Sequence, residues 1–407
     1  MSVSSTSTTT GGVATARGFR TAGVSAGIKS GGAAGKLDLA LVVSDTPATV
    51  AAVFTLNKAQ AAPVLVSKDH LGRSHGVARA IVVNSGCANA CTGESGLADA
   101  REMAAQTAAL VGCPVEQVLV ASTGVIGVAL PMDKLRDGIA DAFASLSASH
   151  GAQAAQAIMT TDPFPKEASA AFAVGGRTVT VGGMAKGSGM IEPMMATMLG
   201  FVTTDAAIAA PLLHRALVEV VDDTFNAITV DGDSSTNDSV MLLANGASGV
   251  TITDDEYPQF VKALHAVCLE LAVGIVRGGE GATKLVTVRV SGSASVAEAR
   301  KTAKAIANSL LVKTAIHGGD PNWGRLLAVA GRAGVAFDPN RAKVTIGPTV
   351  LFADGRPYDE RAAEAAAYLK GADIAIGVDL GVGRDESTVW TCDLSAEYVR
   401  INAEYRT

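Results

Sequence analysis

Three observations predict a protein of mixed helices and strands. Short apolar runs bounded by Gly, Pro, Asp or Ser recur along the chain, as at residues 37–43, 80–83, 118–121 and 285–290, and such runs read as strands. Between them lie stretches whose apolar residues return every three or four positions, the period of a helix that buries one face. Aromatic residues make up only 4% of the chain while Ala and Gly abound, so packing rests on small side chains that let elements approach closely. At 407 residues there is enough chain for two or three lobes, each with its own core.

In chain order, residues 1–12 form a Ser/Thr/Gly tail too polar to bury and expected to be disordered. The runs 37–43 and 48–54, separated by Ser44-Asp-Thr-Pro47, predict a β-hairpin. Strand 80–83 enters Asn84-Ser-Gly-Cys87-Ala-Asn89-Ala-Cys91-Thr-Gly93, a loop of small polar side chains that suits a site rim or a plain capping loop. Leu97, Ala100, Met103, Ala104, Ala108 and Val111 then mark a helix. Strand 118–121 ends in Ser122-Thr123-Gly124-Val-Ile-Gly127, where the glycine lets the Gly124 N–H and the Thr123 hydroxyl point to one spot. They are either donors to a developing oxyanion or an ordinary turn. A helix over 132–148 has Leu135, Ile139, Phe143 and Leu146 on one face. Thr160-Thr-Asp162-Pro-Phe-Pro165-Lys166 suits an ordered loop touching a polar ligand, and equally an Asx-type turn. Residues 174–183 read as a strand pair turning at Gly175-Gly-Arg177.

In the second half, 200–204 is strand-like, and Thr204, Asp205 and Pro211 signal a helix start. Asp231-Gly-Asp-Ser-Ser-Thr-Asn-Asp238 begins like a calcium loop, but Thr236 stands where that loop needs glycine and Leu242 where it needs glutamate. A calcium site is therefore rejected in favour of a turn structured near the active centre. The stripe from Phe260 to Ile275 is a core helix, and Glu280, between glycines, is oddly placed for a surface charge. A carboxylate exposed by such glycine loops can receive a substrate ammonium. Helices follow over 297–311 and from the His317-Gly-Gly-Asp-Pro-Asn-Trp-Gly-Arg325 stretch, whose histidine reads as structural. Strands 374–380 and 387–392 precede a closing segment from Tyr398 to Thr407.

Composition narrows the function. A net charge of −6 without a Lys/Arg block argues against polyanionic partners. Five cysteines without paired metal spacing read as buried thiols of a reducing compartment. The N-terminal residues lack a basic leader, and no run approaches the ~18 apolar residues of a membrane span, so a cytoplasmic location is expected. Neither a dinucleotide fingerprint nor a phosphate loop occurs.

One stretch is odd on any periodicity: Lys186-Gly-Ser-Gly-Met190-Ile-Glu192-Pro193-Met-Met-Ala196-Thr197. A threonine after alanine can attack the preceding carbonyl if the turn is held correctly, and hydrolysis of the ester then leaves Thr197 as a new N-terminus. Its α-amine, with an ordinary pKa of about 7.7–8.0, can serve as base for its own hydroxyl. Taken alone, Thr197 reads first as a core threonine in an apolar strand.

These segments together resemble the ornithine acetyltransferases, also called glutamate N-acetyltransferases. The resemblance is carried by the 84–93 and 122–127 stretches, Thr160-Thr-Asp162, Lys186-Gly-Ser-Gly-Met-Ile191, Pro193 to Thr197, the 231–238 and 317–325 stretches, and Asn402 to Thr407, in order from about residue 15 to the end. It implies an α+β fold of layered sheets covered by helices. It further implies self-cleavage between Ala196 and Thr197 into an α chain (13–196 after the tail) and a β chain (197–407) that stay associated, usually as a dimer of αβ pairs. Thr197 would carry acetyl from N-acetylornithine to glutamate in a ping-pong cycle without a cofactor. Thr123 and Gly124 match the oxyanion hole, and Thr160, Lys186, Thr197, Glu280, Asn402 and Thr407 match substrate-binding positions. Some members also accept acetyl-coenzyme A, and no adenine-nucleotide motif decides that point. The rival readings are an amidohydrolase in which water deacylates Thr197, and an unprocessed amino-acid-binding protein.

Overall fold

The computed structural model describes residues 7–9, 11–29, 35–192 and 198–404. The first half of the chain runs β1 (Ser7–Thr9), β2 (Phe19–Val24), β3 (Leu39–Phe54), α1 (Ala62–Arg73), β4 (Val77–Cys87), α2 (Gly93–Val111), β5 (Val118–Val125), α3 (Met132–Ala144), α4 (Gly151–Ala157), β6 (Lys166–Val174) and β7 (Arg177–Lys186). After residue 198 come β8 (Leu199–Thr204), β9 (Ala207–Ile208), α5 (Ala210–Asp223), β10 (Ser239–Ala244), β11 (Thr251–Ile252) and α6 (Tyr257–Arg277). The C-terminal part holds β12 (Leu285–Ser293), α7 (Val296–Ala307), α8 (Leu310–Gly318), α9 (Trp323–Arg332), β13 (Lys343–Ile346), β14 (Thr349–Ala353), β15 (Arg356–Pro357), α10 (Ala362–Tyr368), β16 (Asp373–Asp379), β17 (Asp385–Cys392) and α11 (Ala396–Glu404).

The predicted hairpin at 37–54 is instead one bent strand. β3 pairs with β2 and β4 through its first residues, shifts register between Val43 and Ala48, and then pairs with β10 from Thr49 to Phe54. Asp45, Thr46 and Pro47 are exposed at that shift. A proline without an N–H is tolerated there because the ladder is already broken. The two apolar runs therefore never pair with each other; they belong to two halves of one sheet. Among the described residues that sheet has nine strands, in the order β1-β6-β7-β8-β10-β3-β4-β5, with β2 also on β3.

Side chains alternate across a strand, and here the alternation builds four layers. On the inner faces, Val42, Ile81, Val83, Leu119 and Ala121 of one half share a core with Met184, Leu199, Phe201, Met241 and Leu243 of the other. On the outer faces, Leu41, Val82 and Val120 pack beneath α1, α2 and α3, while Val181, Val202, Val240 and Leu242 pack beneath α5 and α6. The order is thus helices, half-sheet, half-sheet, helices: the layered α+β arrangement expected. By length and composition alone α6 could cross a membrane, contrary to the expectation that no such run exists. Its stripe of Phe260, Leu264, Val267, Leu271 and Ile275 is buried in this core.

A second sheet, β15-β14-β13-β16-β12-β17, carries its own core with α7, α9 and α10. The helix expected over 297–311 is two helices, broken where Asn308 ends α7 and Ser309 begins α8. His317 closes α8 rather than opening the next helix, which starts at Trp323 with the Asn322 side chain accepting from the Arg325 N–H. Ser7–Thr9, inside the tail expected to be disordered, pairs antiparallel with β6. The edge of β6 offers backbone partners to this short segment. Of the five thiols, Cys87, Cys268 and Cys392 are buried, whereas Cys91 is exposed and Cys113 partly so.

Candidate active site

Where the two half-sheets meet at their strand ends, a cleft of about 240 Å³ opens, the scale of a small metabolite. Thr123, Gly124, Thr160, Lys186, Glu280 and Asn402 all line it, together with Met198, the residue that follows Thr197. Strand ends from one half-sheet deliver Thr123 and Gly124; those from the other deliver Lys186 and Leu199, which are register partners. Ala196, Thr197 and Thr407 lie outside the described residues.

The Thr123-Gly124 pair sits where β5 runs parallel to β4, with Gly124 opposite Gly86. Gly124 has φ +129°, and a Cβ there would lie 2.3 Å from the Gly86 carbonyl carbon. Only glycine allows this approach. A buried amide network holds the loop behind it. Ser122 Oγ donates to Asn84 Oδ1 at 2.6 Å, Asn84 Nδ2 donates to the Cys87 carbonyl, and Asn237 Nδ2 donates to the carbonyls of Ala88 and Ser122. The rim alternative is therefore the better description of residues 84–93, and the 231–238 stretch is a turn beside the same cleft: Asn84 and Asn237 brace the Thr123-Gly124 turn.

Lys186 Nζ donates to Thr123 Oγ1 at 3.1 Å, and both side chains are buried. A hydroxyl that accepts from an ammonium keeps its own proton for donation and is polarised to donate more strongly. Behind Lys186 stands Asp162, whose carboxylate accepts from Lys166 Nζ at 2.5 Å, the Gly187 N–H at 2.8 Å and the Thr160 N–H at 3.0 Å. Burial opposes its charge, but the Lys186 and Lys166 ammonium groups prevail and hold Asp162 down to about 2. Asp162 therefore ties the 160–166 loop to β7 rather than closing an Asx turn.

Glu280 is buried, not exposed as its glycine neighbours suggested. Its Oε2 accepts from Asn402 Nδ2 at 2.8 Å, and its N–H donates to the Ser188 carbonyl. A Cβ on Gly189 would stand 2.4 Å from that same Oε2, so the glycine there makes room for the carboxylate. Asp231, not singled out beforehand, accepts from the N–H groups of Met190 and Ile191 at 2.7 and 2.8 Å and fixes Met190 at φ +57°. Burial raises its pKa, and beside it the Tyr398 hydroxyl is pushed up, by burial first and then by Asp231. Its signal was present in the acidic 231–238 stretch, but nothing local to Asp231 reveals which amides it meets. His317 lies outside this cleft and pairs with Asp393 at 2.7 Å.

Fold and cleft define an enzyme for a small polar metabolite, with Thr123 and Gly124 lining a pocket that also presents Lys186 and Glu280. The chain belongs to the ArgJ family, whose sequence model matches residues 20–407. It is 51% identical over 401 residues to the arginine biosynthesis bifunctional protein ArgJ of Symbiobacterium thermophilum, covering 98% of this chain and 99% of that protein. The Synechococcus protein of the same description is 50% identical over 409 residues, covering 98% of each. A crystal structure of the Bacillus halodurans bifunctional protein argJ matches with 46% identity and a TM-score of 0.50, covering 51% of this chain and all of that one.

Two outcomes are expected. Gly124→Ala, whose Cβ meets the β4 backbone, lowers turnover by about 10²–10³, measured as kcat. Asp162→Asn leaves two buried ammonium groups without their counter-charge and costs about 3–5 kcal/mol, read from denaturant midpoints. Because the folded pKa lies below the ordinary ~3.9 of aspartate, this contribution is complete above about pH 4 and fades as pH falls through about 2. Parent and variant midpoints should accordingly converge on acidification.

Proposed function

We propose that the chain divides itself between Ala196 and Thr197 and then transfers acetyl from N-acetylornithine to glutamate through an acetyl ester on Thr197. The observation that carries this reading is the convergence of Thr123, Gly124, Lys186 and Glu280 on one cleft beside Met198. The Thr197 hydroxyl attacks the acetyl carbonyl, its own α-amine takes the proton, and that amine, now protonated, gives a proton to the departing ornithine nitrogen. The Thr123 O–H and Gly124 N–H hold the developing oxyanion. Glutamate's amine then attacks the ester, and N-acetylglutamate leaves with Thr197 restored. N-acetylornithine presents a carboxylate and an ammonium, for which Lys186 and Glu280 are the cleft's opposite charges; Thr160, Asn402 and Thr407 complete the binding set. This cycle uses only groups of the chain itself and runs in the cytoplasm.

Self-division is supported by the Bacillus halodurans chain, a whole chain that spans about half of this one. Association of the two products is supported by the sheet: β8 lies hydrogen-bonded between β7 and β10. A cut after residue 196 would leave those ladders intact. The description of its relatives as bifunctional favours a second acetyl source, acetyl-coenzyme A.

Intact mass under denaturing conditions should give two fragments dividing before Thr197, the C-terminal one gaining an acetyl mass on incubation with N-acetylornithine. Thr197→Ala should abolish both events; a variant that still divides or turns over would refute the nucleophile. Incubation with acetyl-coenzyme A and glutamate should release free thiol, and no release above background would remove the second activity.

A further inference from the structure

The described residues that flank 193–197 are held far more firmly than a surface turn requires. Downstream, the Met198 carbonyl accepts from the Ser239 N–H at 2.9 Å, and β8 enters its ladder at once. Upstream, the Ile191 carbonyl accepts from the Val230 N–H at 2.8 Å, with Thr229 Oγ1 at 3.0 Å. The Glu192 carboxylate, five positions before Thr197, is gripped on both oxygens. Lys304 Nζ lies 3.3 Å from Oε1, and Asn308 Nδ2 donates to Oε2 at 3.1 Å. The Lys304 and Glu192 side chains are each only 16% exposed. None of these three residues lines the cleft.

Their place in the fold gives the contact its meaning. Lys304 lies in α7 and Asn308 caps it; Ala299, Ala303, Ile306 and Ala307 of that helix are buried in the core of the second sheet. Lys304 Nζ also donates to the Ile228 carbonyl at 2.7 Å, and Asn308 Oδ1 lies 2.7 Å from Thr229 Oγ1. A group that reaches Glu192 from α7 is present only once the C-terminal sheet has folded and docked. Attack of a side-chain oxygen on the preceding carbonyl depends on orientation, and a misplacement of about 1 Å can cost ~10²-fold in rate.

We propose that the Glu192–Lys304–Asn308 contact is a positioning clamp for self-cleavage, which makes division of the chain conditional on docking of the C-terminal sheet. This rests on the reading that the chain divides at 196/197. In that step the Thr197 hydroxyl displaces the Thr197 nitrogen from the Ala196 carbonyl carbon, giving an ester and a free amine. Water then cleaves the ester to the Ala196 carboxylate and the restored hydroxyl. The clamp acts through the path of the chain, as a positioning device.

The test follows the uncut fraction of full-length Glu192→Ala, Lys304→Met and the charge-exchanged Glu192→Lys/Lys304→Glu chain against time after purification. Each single variant should divide at least about 10-fold more slowly than the parent, and the exchanged pair should recover most of the lost rate. Unfolding midpoints are compared in a Thr197→Ala background, where the exchanged pair should lie closer to Thr197→Ala alone than either single variant does. Once divided, the variants should show parental kcat and KM, since the clamp serves the cleavage and not the transfer. Single variants that divide at the parental rate, or a slowing that tracks lost stability and is not recovered by exchange, would overturn the clamp. A parent that never divides would remove the clamp together with the reading beneath it.

Discussion

The nine-stranded sheet and the cleft at its strand ends depend on the bend in β3. A strand of 16 residues that stayed straight would give one open sheet with a single curvature. Broken at Ser44 to Pro47, it hands the chain from one set of partners to another and lets the two halves of a single ladder lie face to face. The apolar residues of both inner faces then bury each other, and that burial is the dominant favourable term in folding. The same closure brings the end of β5 to the ends of β7 and β8. Cleft and core are two consequences of one bend.

At the cleft, charge is arranged with little margin. Lys186, Lys166 and Asp162 are all buried, and leaving any of them unpaired would be costly. Asp162 pairs with Lys166 and offsets part of the field of Lys186 while accepting two backbone N–H groups, so its charge also shapes the loops around it. Lys186 is thereby free to donate to Thr123, which couples the cation at the pocket wall to the hydroxyl at its centre. Opposite, Glu280 keeps its position because Gly189 yields space and Asn402 donates to it. The helix that carries Asn402 comes from the C-terminal end of the chain, so the pocket is complete only when the last element has docked.

Much of this was legible in the sequence, for identifiable reasons. Helices α2, α5 and α6 announced themselves because an amphipathic stripe is a local pattern. Thr123, Gly124, Thr160, Lys186 and Glu280 could be picked out because short, chemically unusual stretches stand out from a background of alanine and valine, whereas Asn402 came only from the family resemblance. Errors arose where the deciding interaction was distant in sequence. Pro47 looked like a turn because a broken ladder and a hairpin corner share the same residue types. Glu280 looked exposed because flanking glycines signal loops, while its burial depends on Asn402, 122 positions away.

The sequence by itself determined the periodicity of the elements, the motifs whose side chains line the cleft and, through their order, the family to which the chain belongs. Those properties reside in neighbouring residues or in the linear order of motifs. Only the tertiary structure decided that Thr123 accepts from Lys186, that Asp162 joins two loops rather than closing one, and that Asp231 and α7 grip residues 190–192. Each of those is a contact between distant positions, fixed by how sheets pack and where strands end, which no local pattern encodes.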